Sequence, residues 1–226
     1  MAQGRPLAGG FRLKWHDEVL DKAGHEAAAR LAAATSDFYL AGGTALALRL
    51  GHRISLDLDL FSAKNALDAV QRRTLFGTLT ASGPIKIKEE KGGTCHLDLG
   101  GTSVSLFYYD YPTLERPQPW RGLATASLED IAAMKLSAVL GRGSKKYFID
   151  LYELCRRLGL GPVMTTAGRK FPLHADFPLQ AARALLYFED AEKEPMPQML
   201  RSAAWENVKS YFEDTIPKYV RAHLKR

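Results

Sequence analysis

The chain has 226 residues, 46% hydrophobic and 25% charged, with a formal net charge of +6. That is enough length for one large domain or two small ones with a real core, at a composition ordinary for a soluble globular protein. It excludes a membrane-spanning helix, since no apolar run approaches the roughly 20 residues required, and residues 1–10 hold no apolar signal-peptide core, so a cytoplasmic protein is expected.

In chain order, residues 1–14 predict a flexible N-terminus. Residues 15–34 are alanine-rich, with apolar residues at helical spacing, and predict a helix. Residues 38–41 read as a short buried strand. Gly42-Gly43 then turns into a helix over 44–50. Residues 54–61, Ile-Ser-Leu-Asp-Leu-Asp-Leu-Phe, alternate strictly and predict a strand. Its alternation puts Asp57 and Asp59 on one face with Ser55, and sends Ile54, Leu56, Leu58 and Leu60 into a core.

Asn65 is expected to cap a helix over 66–80, with Leu67, Val70, Leu75, Phe76 and Leu79 facing inward. Strands at 85–90, 94–99 and 102–109, separated by Gly92-Gly93 and Gly100-Gly101, predict an antiparallel meander. Pro112, Pro117 and Pro119 mark 110–122 as a linker. Everything after it reads as helical. Ser127-Leu128-Glu129-Asp130 opens a helix to about residue 140, and Gly141-Arg142-Gly143 breaks it. Ser144 is expected to cap a helix over 145–158, followed by a Gly- and Pro-containing loop. Helices are expected at 179–189 and 203–214, with Pro217 opening a last short one. The fold class is α+β: a mixed sheet with flanking helices, followed by a helical C-terminal half.

Cys95 and Cys155 read as reduced core residues. Without a CxxC or HExxH pattern, no zinc site is expected. The positive charge is concentrated between 135 and 170. There Lys135, Arg142, Lys145, Lys146, Arg156, Arg157, Arg169 and Lys170 face only Asp150 and Glu153. This is either a solvated helix surface or a wall facing phosphates.

Two carboxylates about 7 Å apart along a strand repel unless a cation sits between them. A hard divalent ion, Mg²⁺ or Mn²⁺, suits them. The glycine turn lets backbone N–H groups approach a triphosphate, and the following helix N-terminus adds donors. Each piece alone is weak. In this order they point to nucleotide chemistry.

Phe38-Tyr-Leu-Ala-Gly-Gly-Thr-Ala-Leu-Ala-Leu48 and Gly51-His-Arg-Ile-Ser-Leu-Asp-Leu-Asp-Leu-Phe61 resemble the AbiEii/AbiGii toxin family of nucleotidyltransferases, within the DNA-polymerase-β-like superfamily. Ala133-Met-Lys-Leu-Ser-Ala138, Arg142 and Lys146-Tyr-Phe-Ile-Asp-Leu-Tyr152 agree with this. The stretch Leu186-Tyr-Phe-Glu-Asp-Ala-Glu-Lys-Glu-Pro-Met-Pro197, with Trp205, is similar to a C-terminal segment of one branch of the family. The resemblance implies a nucleotidyltransferase α/β domain over 15–122 and a helical C-terminal domain over 123–226.

It also implies roles for single residues. Gly42 and Gly43 form the phosphate turn, with Thr44 as a phosphate contact. Asp57 and Asp59 hold the metal and take part in catalysis. Lys135 binds nucleotide phosphates, and Asp150 is the final motif aspartate, preceded by the basic Lys146. Read from the residues alone, Lys135 either faces a cleft or snorkels to solvent, and Asp150 either acts in the site or pairs with Lys146 at the surface. Arg53 either binds a phosphate or, like His52, caps and orients; Arg142 carries the same ambiguity.

Many polymerase-β-like enzymes have a third carboxylate on a neighbouring strand, but 102–109 holds no acid, and Asp98 and Asp110 lie near strand ends. Either Asp150 or a metal-bound hydroxide serves in its place, or the chain binds nucleotide without efficient transfer. The implied reaction is Mg²⁺-dependent transfer of a nucleoside monophosphate from an NTP to an RNA such as the tRNA 3′ end. The implied partner is a cognate antitoxin, with no membrane involved. The alternatives are a nucleotide- or RNA-binding module, or transfer to a protein or small-molecule hydroxyl.

Overall fold

The computed structural model describes residues 14–173 and 176–223. The segment expected to be a flexible N-terminus lies, apart from Lys14, outside the described residues. A short 3-10 turn at Asp17–Val19 precedes α1 (Lys22–Ala34), so the helix expected over 15–34 starts late; Asp21 caps it, accepting from the Gly24 N–H at 2.8 Å. Then come β1 (Tyr39–Ala41), α2 (Gly42–Leu50), β2 (Leu58–Ser62) and α3 (Ala69–Ala81). The meander forms as expected: β3 (Lys86–Lys91), β4 (Thr94–Leu99) and β5 (Thr102–Tyr108) pair antiparallel.

The 110–122 segment is more than a linker. It contains β6 (Gln118–Trp120), which pairs antiparallel with β7 (Leu123–Thr125), and β7 runs parallel to β1. The result is an α+β protein built on one mixed seven-stranded sheet, in the order β3-β4-β5-β2-β1-β7-β6. β2 lies in the middle, antiparallel to β1 and parallel to β5. Leu58 and Leu60 are fully buried on one face, as the alternation requires, beside Val104 and Leu106 of β5. Leu56, expected in that core, is exposed, because the strand begins only at Leu58 and the preceding segment runs free of the ladder.

Asp68, not Asn65, caps α3; its carboxylate accepts from the Val70 and Gln71 N–H groups, and Gln71 reaches back to the Asp68 N–H at 3.1 Å. Asn65 instead accepts from the Leu67 N–H at 3.0 Å in a local turn. The shifted start turns Val70 outward, where it is exposed, while Leu67, Leu75 and Leu79 stay buried.

The helical part begins with α4 (Leu128–Gly141), capped by Ser127 through the Asp130 N–H at 2.9 Å. α5 (Lys145–Leu158) follows. The stretch expected to be a loop is α6 (Leu160–Lys170); Pro162 sits in its first turn, where the missing N–H costs nothing, and Val163, Met164 and Ala167 are buried. In place of one helix over 179–189 there are two, α7 (Phe177–Ala184) and α8 (Glu189–Glu192). The last helix, α9 (Trp205–His223), passes straight through Pro217, because Trp205, Val208, Phe212 and Ile216 keep one buried stripe along it. Phe148 of α5 packs against Phe188, Trp205 and Phe212, joining α5 to the C-terminal helices. Cys95 and Cys155 are both free and buried, as expected. Among the described residues no helix is long and apolar enough to cross a membrane.

Candidate active site

The end of β1, the start of α2 and the entry to β2 converge on a cleft of about 720 Å³. One wall carries Gly42, Gly43, Arg53, Ser55, Asp57 and Asp59, and α4 and α5 add Met134, Lys135, Lys146 and Tyr147 to the lining. The strand–glycine–helix–strand order read from the sequence thus folds onto one wall. Ala41 at the α2 N-cap gives no side-chain cap, so the first N–H groups of the helix are left for another acceptor.

The two glycines are required by what lies against them. Gly42 has φ +70, and a Cβ there would stand 2.6 Å from Asp59 Oδ2. At Gly43 a Cβ would stand 2.5 Å from an Arg53 guanidinium nitrogen. The backbone of the turn therefore touches both the Asp59 carboxylate and the Arg53 side chain. Thr44 lies behind this wall: it is buried, and its hydroxyl bonds to Ser55 Oγ at 2.9 Å and donates to the Asp57 carbonyl. It ties the approach to β2 onto α2 and does not line the cleft.

Asp57 is exposed and Asp59 half-buried. Burial pushes the Asp59 carboxyl up; the Lys135 charge opposes that, and the neighbouring Asp57 charge adds to it. Among the described residues no three His, Cys, Asp or Glu side chains cluster as a complete metal cage. A carboxylate pair at an open cleft is instead the donor set of an ion that also takes phosphate and water oxygens, which is how Mg²⁺ is commonly held.

Asp150 does not line the cleft. It is fully buried on α5 and takes Arg53 on both oxygens, Nε to Oδ1 at 2.7 Å and Nη2 to Oδ2 at 2.8 Å. Lys135 Nζ lies 2.7 Å from Oδ2, and His52 Nε2 lies 2.9 Å from Oδ1. Burial alone would raise this carboxyl; the Lys135 and Arg53 charges, with the Arg53 and His52 hydrogen bonds, hold it well below the usual range. In the same cluster burial pulls the Lys135 ammonium down against the Asp150 charge. Lys146, four residues before Asp150, points to the cleft, so the two are not a surface pair. Asp150 instead fixes Arg53 and Lys135 at the cleft edge. The basic stretch over 135–170 is no continuous wall either. Lys170 is buried against Asp130 at 2.8 Å, Lys145 lies 5.1 Å from the Trp205 ring centre, and only Lys135 and Lys146 of the eight line the cleft. Arg142 is exposed and pairs with Glu194 at 3.1 Å.

Several cleft residues carry no local signal in the sequence. Phe61, Phe107 and Tyr109 form an aromatic end, with Phe61 and Phe107 stacked at 5.0 Å; only the parallel pairing of β2 with β5 brings them together. Gln198 enters from the C-terminal segment. That segment docks beside Arg53 through Ile54 N–H to the Gln198 carbonyl and Leu200 N–H to the His52 carbonyl, both at 2.9 Å. Just before it, Glu194 accepts from Ser144 Oγ at 2.6 Å and from the Lys145 N–H at 2.9 Å. Glu194, not the Ser144 side chain, therefore caps α5. On β5 the residue registered with Asp59 is Ser105, so the position of a third carboxylate is filled by a hydroxyl.

The family model described as "Nucleotidyl transferase AbiEii toxin, Type IV TA system" matches residues 27–225. An uncharacterized protein of Aquifex aeolicus (strain VF5) is 35% identical over 190 residues, spanning 82% of this chain and 89% of the relative. Among solved structures, a candidate nucleotidyltransferase from H. pylori is similar at TM-score 0.55 and 20% identity, over 91% of this chain and 96% of its own. MenT4, a nucleotidyltransferase toxin of Mycobacterium tuberculosis H37Rv, is similar at TM-score 0.52 and 13% identity, over 87% and 86%. The antibiotic-resistance factor ANT(2'')-Ia is similar at TM-score 0.52 and 17% identity, over 71% and 97%. At these identities the structural likeness is one of fold.

Proposed function

Because this chain belongs to the AbiEii family of nucleotidyltransferase toxins, and is itself a nucleotidyltransferase, we propose that the cleft between Asp57–Asp59 and Lys135–Lys146 is its active site and that it transfers a nucleoside monophosphate from an NTP to an RNA hydroxyl, such as the tRNA 3′ end. The observation that carries this reading is the contact between Asp59 and Gly42, which puts a carboxylate pair and a phosphate turn on one wall. The α2 N-terminal N–H groups accept the triphosphate, helped by the positive end of the helix dipole. Lys146, Lys135 and Arg53, which all line the cleft, add positive charge for the phosphates. The nucleobase takes the aromatic end at Phe61, Phe107 and Tyr109.

Asp57 and Asp59 are the residues that would hold Mg²⁺ or Mn²⁺, and the raised Asp59 carboxyl fits a pair that waits for a cation. A bound ion there would supply neutralisation of phosphate charge and polarisation of the α-phosphoryl oxygens. The chain itself positions the NTP for in-line attack, in which the acceptor oxygen bonds to the α-phosphorus and pyrophosphate leaves. The RNA acceptor is supported by the exposed Lys146, Arg156 and Arg157 on α5, which offer cations to a phosphate backbone. The family description names a toxin–antitoxin system, so a cognate antitoxin is the protein partner.

Incubation with each α-labelled NTP, Mg²⁺ and total tRNA tests the proposal. Label appears on RNA with at least one NTP, and Asp57→Asn or Asp59→Asn lowers the rate by at least about 10²-fold while the protein stays folded. The hydroxyl at Ser105 favours one rival reading, binding without turnover. Nucleotide binding with no transfer from any of the four NTPs would establish that rival and defeat the proposal.

A further inference from the structure

Transfer onto a hydroxyl needs a group that takes the acceptor's proton. Asp57 and Asp59 are committed to the cation, and Asp150 is sealed among Arg53, Lys135 and His52. Asp98 is occupied by the Gly101 N–H at 2.9 Å and Lys88 at 3.3 Å, which hold its carboxyl below the usual range and make it a poor base. What remains beside Asp59 is a row across three strands. β2 registers Asp59 with Ser105 of β5, and β5 registers Ser105 with His96 of β4. Paired residues share a face of the sheet, so all three side chains rise on the face that carries Asp59 and Phe107 to the cleft; Ser105 and His96 stand beside that lining, with Ser105 only partly buried.

We propose that His96, working through the Ser105 hydroxyl, accepts the proton of the attacking hydroxyl, replacing a carboxylate on β5 by a Ser–His relay. This rests on the nucleotidyl-transfer reading of the same cleft. His96 Nδ1 lies 3.0 Å from Ser105 Oγ, and Ser105 is in turn the β5 residue registered with Asp59. The serine thus stands between the metal-pair aspartate and the imidazole. The ring is half-buried and packed edge-on to Phe107, centroids 5.8 Å apart, and Phe107 in turn lines the cleft. That contact fixes the ring plane and keeps Nδ1 on the serine. The charged groups around the ring are Glu89, registered opposite it on β3, and Asp98 with Lys88 and Lys86 on the same face.

In the step, the acceptor O–H proton passes to Ser105 Oγ as the Ser105 proton moves to Nδ1. The acceptor oxygen forms its bond to the α-phosphorus, the bond to the bridging oxygen breaks, and its electron pair leaves with pyrophosphate. The imidazolium later returns its proton to solvent. A hydrogen bond that merely stitched β4 to β5 would leave the pH dependence of transfer untouched, and this separates the two roles.

The test is kcat for label transfer against pH, with NTP affinity and thermal unfolding measured alongside. The wild type shows an acid limb, along which kcat falls as the base takes up a proton ahead of the step. His96→Gln lowers kcat at pH 8 by about 10²–10⁴-fold and removes that limb, with NTP affinity unchanged. Ser105→Ala behaves the same way, which guards against one variant misfolding. Ser105→Asp in the His96→Gln background restores at least about tenfold, by placing a carboxylate beside Asp59. A His96→Gln rate within about twofold of wild type, or a lowered rate that keeps the acid limb, overturns the relay and leaves the site reading standing. A wild type that binds NTP and transfers nothing overturns both.

Discussion

Asp150 draws Arg53, Lys135 and His52 onto its two oxygens at distances of 2.7–2.9 Å, all within a fully buried pocket of charge. Removing its charge strands the other two ions, so Asp150→Asn is expected to cost about 3–5 kcal/mol, measured by urea unfolding at pH 7. The acid response follows from the direction of its shift. A carboxyl held low in the folded state contributes stability that is complete above the unfolded value of about 3.9 and is lost as pH falls through the lower folded value. Below about pH 4 the stability of Asp150→Asn should therefore fall less steeply than that of the wild type. An equal slope would mean that Asp150 is not the low-pH proton acceptor. The sequence named Asp150, Lys135 and Arg53 but not their association. Arg53 and Asp150 are 97 positions apart, and the helical spacing that suggested a Lys146–Asp150 pair describes one helix, not what faces it.

At the scale of elements, α2 and β2 are the most legible part, because the alternation over 54–61 and the glycine pair, each weak alone, come in the order strand, turn, helix, strand; the strand itself runs over Leu58–Ser62. The same local physics makes a sharp prediction. Gly42→Ala puts a methyl group 2.6 Å from the Asp59 carboxylate at φ +70, so it should reduce transfer at least about tenfold while costing only about 1–2 kcal/mol of stability, measured by label transfer and thermal unfolding on the same samples. Unchanged transfer would show that the turn does not set the position of Asp59. Local signals fail where the tertiary context decides. Gly161, Pro162 and Gly168 make 160–170 look like a loop, yet its apolar stripe against α4 holds a helix. Pro217 reads as a helix start, yet Phe212 and Ile216 carry one helix across it. Glu194 was invisible as a cap because it reaches Ser144 from 50 residues away.

Across the whole molecule, long-range pairings build the cleft. The sheet takes β7 from beyond the proline-rich segment, and Lys170 of α6 is buried against Asp130, which also accepts from the Leu114 and Glu115 N–H groups. The C-terminal segment then returns to Arg53 and sets Gln198 in the cleft wall. The fold class and the glycine–aspartate wall could be read from the sequence. The aromatic end, Gln198 and the Asp59–Ser105–His96 row could not, since strand register and returning segments leave no local pattern. The most direct test of the site is a crystal structure with a non-hydrolysable NTP and Mg²⁺. The triphosphate is expected against the Gly42–Gly43 turn, with metal density between Asp57 and Asp59 and Lys146 on the phosphates. A triphosphate bound elsewhere, or bound in this cleft with no metal at the two aspartates, would contradict the proposed site.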